Sequence, residues 1–337
     1  MNAKEFYILS TKEKKLILQT LKNKTAYPEF VFEKDWWVTQ TLAIIFEMDV
    51  AEHLLFKGGT SLSKAWHLIN HFSEDVDLAL SREYLGFSSS LISKSQVKRL
   101  RQKSFEFVTT TFYNDLQKAF KEKGYTDVKF DFENLGDGDQ DPVSILIYYP
   151  SVIQYSDYVL PRVKVELGSR SLKDPFSICQ IQSFIGKQFS ELPFSDSAID
   201  IPCVNPERTF LEKLFLLHEE FQKPQEKMRV NRMSRHLYDI VKIYQSEHKK
   251  KIYDLALIES IIKHRERFNG IREVDYNSLF PPNLNPIPPN RLIKAWEQDY
   301  KTMQTSMIPD ESPSFAEILK IVMQATKKYN ELIYPFI

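Results

Sequence analysis

The sequence predicts an α/β (α+β) half followed by an all-helical C-terminal region. Three observations carry that prediction. Apolar spacing switches from the helical period to period two at Ser73–Leu80, three further period-two segments follow, and from about residue 204 only the helical period remains. The division is therefore placed between residues 1–203 and 204–337.

The elements follow in order. Residues 34–47 put Val38, Leu42, Ile45 and Phe46 on one helical face. A short apolar run, Leu54–Phe56, leads into Lys57-Gly58-Gly59-Thr60, two adjacent glycines in a chain that has only nine. Leu62, Ala65, Trp66 and Ile69 then recur at i, i+3, i+4 and i+7, which predicts a helix from Thr60 to Asn70. Over Ser73–Leu80 the pattern is that of a strand, with Asp75, Asp77 and Ala79 on one face and Val76, Leu78 and Leu80 on the other. A long helix is predicted over 95–123, stopped by Gly124. Strands are expected over 128–132, 143–149 and 162–167, with a turn-rich loop from Asn134 to Asp141. Asn205-Pro206-Glu207 is a helix start, with an N-cap residue, proline at N1 and an acid in the first turn. That helix is expected to reach about Gln222, with others over 229–246, 291–305 and 313–333. Five prolines between Pro281 and Pro289 predict an extended connector.

Composition narrows the function. The 337 residues suit one large domain or two, and 45 basic side chains balance 45 acidic ones. Zero net charge disfavours a protein that coats nucleic acid non-specifically, while leaving room for a local basic groove. The longest aliphatic-aromatic run, Leu42–Phe46, is too short to cross a bilayer, and the first fifteen residues lack the apolar core of a secretory signal. Cys179 and Cys203 exclude a disulfide framework and have no zinc-ligand spacing. The expectation is a cytoplasmic enzyme or interaction protein. Lys94, Lys98, Arg99, Arg101 and Lys103 make a basic helix start, a solvated surface or a track for a nucleic-acid backbone.

Asp75 and Asp77 are one residue apart on a strand, so their Cβ atoms stand roughly 6–7 Å apart on one face. That spacing lets both grip one or two divalent cations, as phosphoryl transfer requires. An exposed polar face of an edge strand would look the same. Glu166 shares the polar face of the 162–167 strand with Arg162 and Lys164. If that strand lies beside Asp75–Leu80, Glu166 becomes a third carboxylate on the same face. A solvent-exposed salt-bridge ladder is the other reading. The Gly58-Gly59-Thr60 turn, at a helix start, would let backbone amides approach an anion, with a hydroxyl from Thr60 or Ser61. A tight turn explains it equally well, and neither GxxxxGK[ST] nor GxGxxG occurs.

FKGGTSLSK followed by FSEDVDL, within the segment Glu33–Leu80, resembles the AbiEii/AbiGii family, nucleotidyltransferase-like toxins of type IV toxin–antitoxin systems. The glycine turn and DxD strand also resemble the wider superfamily that includes polymerase-β-like enzymes. VKVEL, EKLFLLH and RHLYDI are similar to the family's later motifs, so the resemblance covers roughly residues 33–245. It implies a nucleotidyltransferase-type mixed sheet flanked by helices. It further implies that Gly58, Gly59, Thr60 and Ser61 hold the phosphates of an NTP, with Lys64 and Arg235 as additional nucleotide contacts. Asp75 and Asp77 would bind Mg²⁺ or Mn²⁺, and Glu166 would be the third carboxylate. Lys213 and Asp239 match a later lysine and aspartate of such toxins. His71 stands where relatives often have arginine.

From the residues alone, Lys213 lies at the edge of the stripe Phe210, Leu214, Leu217 and Phe221, where its stem can pack and its ammonium reach outward. An ordinary boundary lysine would sit there too. Asp239 lies on the polar side of the stripe Met233, Leu237, Ile240 and Tyr244, with Arg232, Arg235 and His236 nearby. That is either an Arg235–Asp239 pair at i, i+4 or a basic cluster for a triphosphate or RNA end. The resemblance implies transfer of a nucleoside monophosphate from an NTP to RNA, the tRNA 3′ end foremost, blocking translation in abortive infection and phage defence. It implies an antitoxin encoded nearby, no membrane partner, and a cleft in which the helical domain completes the active site. Two other readings stay open: nucleotidylation of a protein hydroxyl, and a non-catalytic nucleotide-binding regulator.

Overall fold

The computed structural model describes residues 4–25, 27–88, 93–155, 160–169, 175–308 and 311–334. The chain divides into two compact units: Met1–Trp66 with Phe72–Val204, and His67–His71 with Asn205–Ile337.

The first unit holds, in order, α1 (Lys4–Ile8), α2 (Thr11–Lys24), α3 (Glu29–Ile45), β1 (Leu54–Lys57), α4 (Gly58–Lys64), β2 (Asp75–Leu80), α5 (Lys94–Phe107), α6 (Tyr113–Glu122), β3 (Lys129–Phe132), β4 (Val143–Tyr148), β5 (Arg162–Gly168), β6 (Phe176–Ile181), α7 (Phe184–Gln188) and β7 (Ile199–Val204). Among the described residues the strands form one seven-stranded sheet in the order β3-β4-β5-β2-β1-β7-β6. It is mixed: β2 runs parallel to β5 and β1 to β7, while the other pairs are antiparallel. This is the α/β architecture that the period-two segments predict, and the mixed sheet flanked by helices that the resemblance implies. The parallel β2–β5 register sets Asp75 beside Lys164 and Asp77 beside Glu166. Val163, Val165 and Leu167 bury the opposite face of β5.

Helix α3 is buried nearly all round, so its polar residues Glu33, Lys34 and Asp35 lie in the core together with Trp36 and Trp37. The helix expected over 95–123 is interrupted by a wider π-type turn at Val108–Phe112. The threonines explain it: Thr109 and Thr110 donate back to the carbonyls of Phe105 and Glu106 at 2.7 and 2.6 Å, competing with the regular ladder. Helix α4 is shorter than predicted. It ends at Lys64, Trp66 Nε1 fastens to the Val204 carbonyl at 3.1 Å, and His67 takes a left-handed φ of 52° that no helix continues.

In the second unit are α8 (Pro206–Gln222), α9 (Ser234–Tyr244), α10 (Leu255–Phe268), α11 (Ile293–Met307) and α12 (Phe315–Asn330). Helix α9 packs against α8, α11 and α12. The proline connector is extended and pinned by polar groups. Asn330 exchanges two hydrogen bonds with the Leu284 backbone at 3.1 and 2.9 Å, and His218 Nδ1 accepts from the Asn285 amide at 2.8 Å.

The sequence reading misses β6, β7 and α10. Pro202 inside β7 argues against a strand that nonetheless pairs with β1 on one side and β6 on the other. Helix α10 did carry a signal, Ile258, Ile261 and Ile262 behind Asp254, whose carboxylate caps the Leu257 amide at 2.9 Å.

Candidate active site

The site in the first unit is built where β1 turns into α4 alongside β2. Gly58 has φ +78°, and a β-carbon there would fall 1.9 Å from Asp77 Oδ2. Only glycine answers both demands, so the turn and the Asp77 carboxylate occupy each other's space. At Gly59 a β-carbon would meet Ser73 Oγ at 2.9 Å. The hydroxyls of Thr60 and Ser61 are fully buried and turned inward: Thr60 Oγ1 lies 2.9 Å from Ser73 Oγ, and Ser61 Oγ donates to the Gly58 carbonyl at 2.9 Å. Both side chains hold the turn itself. Lys64 is also buried, its ammonium paired with Asp35.

Asp75 and Asp77 are half-buried on β2. Loss of hydration, then the charges of Glu166 and Asp75, push the Asp77 carboxyl up to about 7, with Lys57 acting against them. Three acids thus crowd one face of the sheet. Glu166 Oε1 is 2.6 Å from Lys164 Nζ, and Glu133 takes both Lys164, at 2.7 Å, and Arg162, at 2.9 Å. The polar face of β5 thus forms a partly exposed ladder and also carries a third carboxylate beside the pair. Asp75 and Asp77 offer the hard oxygen donors that Mg²⁺ or Mn²⁺ takes. Among the described residues, however, no three His, Cys, Asp or Glu side chains stand arranged around a metal position. Glu166 would have to exchange Lys164 for the cation.

In the helical unit Asp239 is 1% exposed. Its Oδ2 accepts from Lys213 Nζ at 2.9 Å and its Oδ1 lies 2.8 Å from His71 Nε2. The Arg235–Asp239 pair suggested by the i, i+4 spacing does not form, because Asp239 turns inward to these partners. Burial opposes the Asp239 charge, but Lys213 and His71 outweigh it and hold the carboxyl well below the usual carboxylate range. Burial, then Lys213 and Arg235, push the His236 imidazole well below its ordinary value, so it is neutral and its Nδ1 accepts from Lys213 at 3.3 Å. The Arg235 Nε is buried and finds no acceptor among the described residues.

The sequence reading does not single out the buried ion pairs of α3, Lys34 with Glu74 and Asp35 with Lys64. Their signal was a Lys-Asp dipeptide that runs straight into Trp36-Trp37-Val38, in a helix buried on nearly every side. It also gives no partner for His71.

A Gly-Gly turn pressed against Asp77, with Asp75 on the same strand of a mixed sheet, agrees with a nucleotidyltransferase. The chain belongs to the family described as nucleotidyl transferase AbiEii toxin, type IV TA system, whose model matches residues 41–321. No curated protein matches it. Among solved structures it is similar to the nucleotidyltransferase toxin MenT4 of Mycobacterium tuberculosis H37Rv. The identity is 17% over 81% of this chain and 94% of that one, with a TM-score of 0.31, too distant a likeness to bear on the site.

Proposed function

We propose that the protein transfers a nucleoside monophosphate from an NTP to an RNA acceptor, the tRNA 3′ end foremost, in a reaction that needs Mg²⁺ or Mn²⁺, and that this blocks translation. The observation that carries the reading is the Asp77 carboxylate lodged in the space Gly58 leaves, with Asp75 and Glu166 beside it. It joins a turn able to approach phosphate to a cluster of three acids.

Asp75, Asp77 and, once released from Lys164, Glu166 would hold the divalent ion. When bound, the ion neutralises charge on the triphosphate and activates the attacking hydroxyl. Glycine at 58 and 59 keeps side chains away from the phosphates, and the inward hydroxyls of Thr60 and Ser61 keep the turn rigid. Lys213 is the proposed neutraliser of charge developing on the phosphates, its ammonium fixed by Asp239 and by neutral His236. Arg235, with a buried Nε that lacks an acceptor among the described residues, is a further donor for an anionic ligand. A cytoplasmic location and a role in abortive infection and phage defence are part of the same proposal, and the type IV toxin–antitoxin family implies an antitoxin partner.

Purified protein incubated with Mg²⁺, each α-³²P-labelled NTP in turn and total tRNA tests the proposal, with Asp77→Ala alongside. Label on tRNA that depends on Asp77 supports it and names the base. Label on protein alone replaces the acceptor with a protein hydroxyl. Nucleotide bound without any transfer makes the protein a regulator.

A further inference from the structure

A buried ion pair is rarely the most stabilising choice, since an apolar pair of the same volume does as well or better. Helix α3 nevertheless carries two of them on adjacent residues, and it also buries Phe32, Trp36, Trp37, Val38 and Leu42. Lys34, Asp35, Glu74 and Lys64 are all at least nine-tenths buried. Neighbouring residues on a helix point about 100° apart, so Lys34 and Asp35 reach different elements.

Lys34 pairs with Glu74 and donates a second bond to the Leu160 carbonyl at 2.9 Å. Glu74 is the residue immediately before Asp75, where β2 begins. Asp35 pairs with Lys64 and accepts the Phe184 amide on its other oxygen at 2.8 Å. Lys64 is the last residue of α4, the helix that opens with Gly58-Gly59-Thr60. Each charged group of the dipeptide is therefore held at two points. One side grips the strand of Asp75 and Asp77, and the other grips the helix of the glycine turn.

We propose that Lys34 and Asp35 are positioning residues for nucleotidyl transfer, a brace on α3 that holds the Asp75–Asp77 strand and the Gly58–Gly59 turn at a fixed separation. This rests on the reading of those motifs as the reacting site. The reason for using charge lies in directionality. An apolar pair would fill the space but allow the strand and helix to slide, whereas two-point ion pairs fix both, and the contact of Gly58 with Asp77 leaves no room for sliding. The brace assigns Lys64 to α3, as an anchor of the turn.

The test uses the full chain and two neutral double variants, Lys34→Met with Glu74→Gln and Asp35→Asn with Lys64→Met. Each removes both members of a pair, so no orphan charge is left buried. Circular dichroism and the thermal midpoint report folding. Transfer of label from α-³²P-NTP, with Mg²⁺ and total tRNA, gives kcat and KM. The brace requires both variants to fold and kcat to fall about tenfold or more with KM for NTP little changed, since ground-state binding is spared and alignment is lost. Wild-type kcat in either folded variant overturns it. Should a neutral pair fail to fold, Glu74→Asp and Asp35→Glu decide the matter, because each keeps its charge and moves a carboxylate by one methylene. A kcat loss at unchanged KM supports the brace, and an unchanged kcat overturns it. Asp77→Asn separates the two levels. If wild type transfers label, Asp77→Asn does not, and the α3 variants match wild type, the brace alone fails. If wild type transfers nothing, the site reading fails and the brace goes with it.

Discussion

Asp77 and Asp239 are two partly or fully buried aspartates that the protein treats in opposite ways. Asp77 has lost hydration and faces two other acids, so it holds its proton up to about 7. Asp239 is the more deeply buried, yet Lys213 and His71 hold it ionised well below the ordinary range. Burial alone does not set the state of a carboxyl; its neighbours do. The negative charge of Asp239 is satisfied within the protein, which suits a residue that orients a lysine. That of Asp77 is opposed by the neighbouring acids Glu166 and Asp75, which suits the metal-ligand role proposed for it.

The sharpest way to break this contrast is Asp77→Asn. Label transfer to RNA is expected to fall by more than about a hundredfold, the upper end of what even a metal's outer partners cost. The fold should gain stability at pH 8. An unfolded aspartate titrates near 3.9, so a native value raised to about 7 means that the Asp77 contribution is greatest below pH 4 and declines as pH rises to 7. Calorimetry at pH 8 should show Tm up by a few degrees in the variant, about 1–2 kcal/mol after allowing for the partial exposure of the group. Mg²⁺ should raise Tm of wild type at that pH and leave the variant unmoved.

Asp239→Asn should do the reverse. It leaves Lys213 without its buried counter-ion and weakens the contact with His71, and denaturant unfolding is expected to lose about 3–5 kcal/mol. The pH slope has the opposite sign: the Asp239 contribution is present above an unfolded aspartate's value and is lost as pH falls below it, so the variant should lack that part of the acid unfolding seen in wild type.

Gly58→Ala is expected to cost about 1–3 kcal/mol through its left-handed backbone. It should also reduce transfer nearly as far as loss of Asp77, because the new methyl displaces that carboxylate. The smallest effect should come from Glu166→Gln. Breaking a partly exposed pair with Lys164 changes stability by less than about 1 kcal/mol. Carboxyl ¹³C titration should nevertheless show Asp77 moving down toward the ordinary aspartate range, while Asp239 stays where it was.

Much of this site was legible along the chain. The strand of Asp75 and Asp77 announces itself by period two, and the adjacent glycines mark a turn where a side chain at 58 would collide with Asp77. Glu166 was legible only conditionally, since its position depends on β5 lying parallel beside β2, a pairing between segments far apart in sequence. The Arg235–Asp239 pair, one of the two readings of that helix, does not form for the same kind of reason. Helical spacing puts those residues near each other, but Asp239 rotates inward to partners that spacing cannot reveal. The helix predicted to run through Trp66 and Ile69 ends early because His67–His71 packs within the helical unit.

The sequence by itself determined the motifs: a glycine turn, an alternating acidic strand, helix starts and a helical second half crossed by a proline connector. Each is encoded by residues within a few positions of one another, where backbone preference and apolar period act. Only the tertiary structure decided which charges meet and what state they take. Asp35 finds Lys64 across 29 residues, Lys34 finds Glu74 across 40, and Asp239 finds His71 across 168. Protonation depends on desolvation and on neighbours brought together by the fold, and neither is present in a short stretch of chain.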